Sequence, residues 1–364
     1  MAKRYSKKAD QIWVSAQAVE GVPTATGSIL ATDAIACTDP TFDVGISSDT
    51  LEYAGDEFSR DVRTDITDRV INAGFQTLLS ALGIPAAAPT IVDFPQEALW
   101  ESTGATVTYT GTAGTSKVKV SNDVVSTVKT TIMCSAVSAD DPTLQKIYKG
   151  FDANTTMDLE LEIDKRIKLK WAPKGIPVDW ALTPEAFPAE ITKIVPDFGV
   201  QKTKIMPAIR AFSVTQSELV VWGSKGYNTG ADDLPTPFAG TGKNFCFTKI
   251  MASDFFGFAW ERLHNSCQSG FEKSVSVPEV VITILEDDLA ATLQPDTDVS
   301  NGGMLQGYFA LALEFGKVAG YTTYISFDKL QHVNTKNTDV GGRKAKELTF
   351  KNCSFSTIIW NAAA

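Results

Sequence analysis

The stretch Thr156–Trp171, TMDLELEIDKRIKLKW, decides how the chain is read. Apolar and charged residues alternate through it in two runs. Met157, Leu159, Leu161 and Ile163 fall on one side, with Asp158, Glu160 and Glu162 on the other. After Asp164-Lys165-Arg166 the pattern resumes, with Ile167, Leu169 and Trp171 set against Lys168 and Lys170. A period of two marks a strand with one buried and one wet face, because successive side chains leave a pleated backbone on opposite sides. The two runs predict a β-hairpin carrying carboxylates on one strand's exposed face and lysines on the other's. Opposite charges across a strand pair contribute about 0.2–1 kcal/mol each, enough to help fix register but not to create a fold.

Outward from this hairpin the same logic recurs. TFDVGIS (Thr41–Ser47) places Phe42, Val44 and Ile46 on one face. Further strands are expected at Val107–Thr110, Val118–Val120, Thr127–Val137, Ala208–Val214, Phe245–Ile250, Tyr308–Phe315, Tyr321–His332 and Glu347–Ile359, and as a pair at Phe255–Leu263 and Phe271–Leu285. Helical spacing occurs in two short places. FQTLLSALG (Phe75–Gly83) ends on a glycine stop, and EDDLAATLQP (Glu286–Pro295) begins with acids and ends before a proline. The expectation is an all-β protein with one short helix per half. The order strand pair, helix, strands recurs, and the proline-rich stretch 173–207 makes a junction. The predicted organisation is an N-terminal arm (1–28), then two tandem repeats (29–200 and 201–364). The arm is read as extended rather than as part of a core, because MAKRYSKKAD is basic and AQAVEGVPTATGS is small and polar.

Composition bounds the function. The chain has 364 residues, with 33 Lys+Arg against 43 Asp+Glu and a net charge of −10. Hydrophobic content of 43% with 21% charged residues fits a folded chain and not a disordered one. The acidic balance argues against a surface that grips nucleic acid by neutralising phosphates, but leaves room for nucleic acid that only slides past. The five cysteines (Cys37, Cys134, Cys246, Cys267, Cys353) are odd in number and widely spaced, which reads as reduced thiols in a protein that matures in a cytoplasm. No apolar segment follows the basic N-terminus, and runs such as Val280–Leu285 are too short to cross a bilayer. The expectation is a soluble, intracellularly made chain.

Catalytic patterns are weak. Only two histidines occur, His264 and His332, although acid–base and metal chemistry near neutral pH lean on that residue. His264 and Cys267 in LHNSC lack a second pair to complete a zinc site. GTGKN (Gly240–Asn244) has Pro237 where a phosphate loop needs its first glycine, and Asn244 where it needs a hydroxyl. PDTDVSNGG (Pro295–Gly303) has Asn301 and Gly307 where a calcium loop needs Gly and Glu. The chain is expected to be no enzyme and to carry no cofactor or metal.

The densest charged stretch is LEYAGDEFSRDVRTDITDRV (Leu51–Val70). No spacing in it selects a catalytic carboxylate pair. It reads as a solvated hairpin or as an exposed ribbon meeting a neighbouring subunit through complementary charge. This string, followed by FQTLLSALG, VTYTG and DLELEIDKRIKLKWAPKG, resembles the tail tube (major tail) proteins of long-tailed bacteriophages, of the two-repeat type. FEKSVSVPEVVITI and EDDLAATL fill the matching slots of a second copy.

The resemblance implies a structural virion protein made in the host bacterial cytoplasm. Each repeat would be a β-sandwich or half-barrel with a flanking helix, and inner strands would close around a ring into a β-barrel channel. The rings would hold three two-repeat subunits in pseudo-sixfold symmetry, or otherwise six, and would stack into a tube. Implied partners are further copies, the tape-measure, tail-tip initiator and terminator proteins, and viral double-stranded DNA as transient, non-adhesive cargo, with no membrane involved. On that basis Asp158, Glu160 and Glu162 are candidate lumen-facing acids, expected to carry a concentrated negative charge. Lys3, Arg4, Lys7, Lys8, Glu52, Asp56, Glu57, Arg60, Asp61 and Arg63 are candidate contacts between subunits or rings. An alternative is a carbohydrate- or receptor-binding β-sandwich of a phage virion, with Trp13, Trp222, Trp260 and Trp360 as stacking platforms.

Overall fold

The computed structural model describes residues 5–54, 60–79, 96–111, 117–138, 140–162, 165–177, 190–197, 217–224, 243–244, 247–265, 268–275, 277–285, 309–315, 322–353 and 355–361. The first part of the chain supplies β1 (Tyr5–Ala16), β2 (Thr38–Ala54), β3 (Arg60–Leu78), α1 (Glu97–Glu101), β4 (Thr106–Thr110), β5 (Lys117–Ser121) and β6 (Thr130–Ser138). The central hairpin is β7 (Leu144–Glu162) and β8 (Lys168–Pro177), followed by β9 (Glu190–Thr192), β10 (Ser217–Ser224) and β11 (Lys243–Asn244). Then come β12 (Lys249–Ser253), β13 (Phe258–Asn265), β14 (Gln268–Val275), β15 (Glu279–Leu285) and β16 (Phe309–Phe315). The chain closes on β17 (Thr322–Val340), β18 (Arg343–Asn352) and β19 (Ser356–Asn361). The fold is all-β and every described pairing is antiparallel. β13 and β14 form their own two-stranded sheet, and the remaining strands are linked by hydrogen bonds into one.

The alternation in the central hairpin is realised in register. Asp158 stands opposite Lys170 and Glu160 opposite Lys168, while Met157, Leu159, Leu161, Ile167, Leu169 and Trp171 are buried. β7 has partners on both edges and changes them partway along. Its first part pairs with β6 and β9, its second with β8 and β12. The change falls at Asp152, a buried aspartate with φ of 45° at a shift in register. Aspartate tolerates this left-handed conformation better than most residues. It is held there by Gln17, whose Nε2 donates to Asp152 Oδ1 at 2.8 Å and whose Oε1 accepts the Asp152 N–H at 2.7 Å.

The two halves interlock. β12 from the second half adds to the edge of β7, and β5 from the first half adds to the edge of β19. One hydrophobic core runs from Ile12 to Trp360. A division at residue 200 therefore passes through a shared sheet and a shared core. Trp100 on α1 joins the halves, edge-on to Trp171 of β8 at 4.9 Å, Trp360 of β19 at 5.6 Å and Phe256 at 6.4 Å. Aromatic pairs in this geometry add about 0.5–1.5 kcal/mol each beyond the area they bury. Gly104, with φ of 92°, ends the α1 turn where a Cβ would stand 2.5 Å from the Phe258 ring. Only glycine fits both the backbone angle and that contact.

Three expectations are corrected. Phe75–Leu78 is not helical but the end of β3, where Phe75 faces Trp171 and Leu78 faces Lys168 in register. Ile71, Ala73, Phe75, Thr77 and Leu79 all point inward, and the Trp171 indole N–H satisfies the Thr77 hydroxyl at 2.8 Å. The helix forms instead at Glu97–Glu101, and the helix expected at 286–295 lies outside the described residues. Residues Tyr5–Ala16 are a sheet strand paired with β6, with Ile12 and Trp13 fully buried, and not an extended arm. The run Glu347–Ile359 is two strands, β18 ending at Asn352 and β19 beginning at Ser356, and β17 continues eight residues beyond His332 to Val340. The strand expected at 208–214 lies outside the described residues.

Candidate assembly surfaces

The three acids singled out on β7 lie together on the outer face of the sheet, and none is left to itself. Glu160 accepts from Lys170 Nζ at 2.7 Å and has Lys249 Nζ of β12 at 3.8 Å on its other side. Glu162 pairs with Lys165 at 2.6 Å, and the Asp158 carboxylate accepts the Asp254 N–H at 2.8 Å. The hydrogen bond from Lys170 holds the Glu160 carboxyl below its usual range; partial burial opposes this, and the charges of Lys170, Lys249 and Lys168 reinforce it. Followed by register across β8, β7, β12, β15 and β18, the same face carries Lys168, Lys170, Lys174, Lys249 and Lys351 against Asp158, Glu160, Glu162, Glu279 and Glu347. The face is charge-balanced. It is not the concentrated negative stripe expected of these acids.

The charged stretch Leu51–Val70 forms most of the distal part of a long ribbon. β2 and β3 pair from Thr38 opposite Gln76 out to Ala54 opposite Arg60. The register sets Glu52 opposite Val62, Asp61 opposite Tyr53 and Arg63 opposite Leu51. Asp56 and Glu57 fall outside the described residues. Among the described strands the second partner of β3 is β8, along its base Ile71–Leu78. From Val70 to Arg60 no third described strand joins, so about 33 Å of two-stranded ribbon runs past the sheet at ~3.3 Å per residue. A lone two-stranded ribbon is marginal in water, and its unpaired N–H and C=O edges invite further pairing.

Of the basic N-terminal residues, Lys3 and Arg4 lie outside the described residues. Lys7 and Lys8 belong to β1, inside the irregularity between the pairs Ser6–Val137 and Gln11–Ser135. The structure does not bring them to the ribbon's register. Of the proposed stacking tryptophans, Trp13 and Trp360 are core residues, at 0% and 3% exposure, and present no platform. His264 lies on β13 opposite Ser269, and His332 is buried against Phe350 with Nε2 2.8 Å from Thr335 Oγ1. Among the described residues no three His, Cys, Asp or Glu side chains gather as a metal site, and no helix is long and apolar enough to cross a membrane.

A second arm escaped the sequence reading. β17 and β18 form a hairpin whose tip is Gly341-Gly342, with φ of 58° and 79°, between Val340 and Arg343. Two positive-φ residues make the tight turn whose twist matches that of paired strands. The Gly-Gly pair inside NTDVGGRKAK was the available signal. β16 covers the edge of β17 only as far as Leu330, so from Gln331 to Val340 that edge meets no described strand. In comparisons with known proteins, no protein-family model matches the chain and no curated protein matches it.

Proposed function

We propose that this chain is a structural subunit that assembles with its own copies into stacked rings, the tail tube of a bacteriophage, through which the viral genome passes. The observation that carries this reading is the β2–β3 ribbon, a charged two-stranded arm whose outer part meets no third described strand and so has an edge that another copy could pair with. The absence of a recognisable catalytic pattern in the sequence agrees with a structural role. In this reading the chain holds two diverged repeats whose inner strands join those of neighbouring copies into a closed barrel, three copies to a ring. Closure removes the sheet edges that would otherwise aggregate.

The charge-balanced face across β8, β7, β12, β15 and β18 is the candidate channel lining. Lys170 and Lys249 both stand against Glu160, so those two would have to leave a partner to bind a phosphate. Non-adhesion then comes from internal neutralisation rather than from net repulsion, and the salt-dependent grip that free lysines create is avoided. Negative-stain electron microscopy of the purified protein tests the reading, at high concentration and with a tail initiator complex present. Hollow rods or rings of uniform diameter are expected. Single copies alone under these conditions would overturn it.

A further inference from the structure

The sheet buries a second, smaller core on the face opposite its main one. Gln11, Trp13 and Ser15 of β1 stand opposite Ser135, Met133 and Thr131 of β6, and Ser135 and Met133 stand in turn opposite Ile147 and Lys149 of β7. Residues paired across strands share a face, as do residues two apart along one strand. Trp13, Met133 and Ile147 cluster there with Ile29 and Ala34, and Ile194 packs against them. Two segments form the cover. Residues 24–35 are fastened by the Thr24 N–H to Thr131 Oγ1 at 2.9 Å, by Lys149 Nζ to Thr24 O at 2.7 Å and by the Ile35 N–H to Ile12 O at 2.8 Å. Residues 190–197 begin as β9 at the edge of β7, and the Asp197 N–H joins the two covers by donating to Ala31 O at 2.9 Å.

The two ends of this small core differ. At the end by Thr131 the polar groups are paired: Thr131 with the Thr24 N–H, Lys149 with Thr24 O and Thr26 Oγ1, and Asp33 with the Leu30 N–H and Ser15. Toward the other end, four side chains bring buried polar atoms that no described residue hydrogen-bonds. These are Gln11 Oε1, the Trp13 indole N–H, Ser135 Oγ and both amide atoms of Gln145. Ser135 is their centre. Gln11 stands directly across from it, Trp13 one diagonal step away on β1, and Gln145 one diagonal step away on β7, between Val137 and Ile191. Cross-strand neighbours lie about 4.5–5.5 Å apart and diagonal ones about 7–8 Å, spacings that one bridging molecule can span. Burying such atoms without a partner is costly, and internal water is the common remedy in folded proteins.

We propose that this site holds internal water, about one or two molecules, bridging β1, β6 and β7 through Ser135. The donor set selects the ligand. The Trp13 indole can only donate, Gln11 Oε1 can only accept, and Ser135 and Gln145 do both. Water answers all of them. None of the four side chains is charged, so an ion would enter without a counter-charge from them, and an apolar guest would leave every atom unsatisfied. The bridge also has a structural consequence. Gln11 opens the regular part of β1, just past the irregularity between Ser6 and Gln11, so water there ties the start of that pairing to the two strands beyond. The inference is independent of the assembly reading.

A crystallographic or electron-microscopy map fine enough to show ordered water tests it, on the chain free or assembled. Water peaks are expected within about 3.2 Å of Ser135 Oγ, with Trp13 Nε1, Gln11 Oε1 or the Gln145 amide as their further neighbours. A companion variant carries Ser135→Ala and Gln145→Met, which removes the centre and one wall of the site at little change in volume. Its map is expected to lack the peaks. Its amides in residues 11–16 are expected to exchange hydrogen several-fold faster than in wild type, with the 157–171 hairpin unchanged. Circular dichroism checks that the variant folds. If it does not, Gln145→Met alone replaces it, with a smaller acceleration in the same residues and loss of the water contact at position 145. The proposal is overturned if the four side chains prove to bond one another directly, or if the wild-type site is dry while its side chains are ordered. Density there larger than water overturns it too, as does a variant that keeps the peaks or leaves exchange in β1 unchanged.

Discussion

The β7–β8 hairpin and the β2–β3 ribbon are both long, antiparallel and rich in charge, yet they occupy opposite situations. β7 has β8 on one edge and β12 on the other, its inner face is closed by Trp171, Leu159 and Leu161, and its outer carboxylates meet lysines from both neighbours. The ribbon has the same local pairing, but beyond Ile71 no described strand lies beside it. The contrast teaches that alternation and cross-strand charge set up a hairpin, whereas a third strand and a covered face turn it into structural core. Without them a hairpin is an arm, and an arm of this length is stable only against something else.

The sharpest way to break the comparison is to empty the covered face. Trp171 stacks on Phe75 at 6.3 Å, meets Trp100 at 4.9 Å and donates to Thr77 at 2.8 Å. Trp171→Ala is expected to cost about 3–5 kcal/mol, read as a lowered urea midpoint. A loss under about 1 kcal/mol would mean that the hairpin is no more anchored than the ribbon.

A smaller effect is expected on the outer face. Glu160→Gln removes the Lys170 and Lys249 contacts and should cost about 0.5–1 kcal/mol at neutral pH, because the pair is partly solvated. The Glu160 carboxyl is held below its usual range in the folded chain, so its contribution is full above the unfolded carboxylate value. It fades as pH falls through the lower folded value. Melting curves of wild type and variant should therefore converge below about pH 4. A gap that persists or widens in acid would show that the ion pairs are not its source.

The smallest effect belongs to the ribbon. Asp61→Asn should change the stability of the single chain by no more than about 0.5 kcal/mol in thermal melts. A loss above about 1.5 kcal/mol would place the ribbon against its own chain and erase the contrast.

Much of the strand pattern was legible because most strands bury one face only. The alternation from Met157 to Trp171 left one arrangement open, and the charges predicted opposite each other are found opposite each other. Two misreadings have specific causes. In Phe75–Leu79 the apolar spacing also fits a helix, and the inward Thr77 hides the strand period until the Trp171 indole is seen to satisfy it. In β1 the three consecutive residues Ile12, Trp13 and Val14 are buried because the strand is covered on both sides. Ile12 and Val14 join the main core, while Trp13 packs with Ile29, Ala34, Met133 and Ile147 on the other face. A strand covered twice shows no alternation, and the basic residues before it gave the segment the look of a solvated end. Of the candidate surfaces, the ribbon was visible as a charge cluster, whereas the basic hairpin was passed over although its Gly-Gly turn is written in the chain.

By itself the sequence determined the β class, the antiparallel hairpins and the pairing of acids with lysines along β7 and β8. These depend on residues close together in the chain and on a period of two. Only the tertiary structure decided that β12 adds to β7 and β5 to β19, so that both halves share one core around Trp100. It also decided which hairpins gain a third described strand and which do not. The reason is physical: a strand's backbone donors and acceptors are the same whatever its side chains. The choice of a distant edge partner is made by the fit of buried faces across the whole core, which no local pattern records.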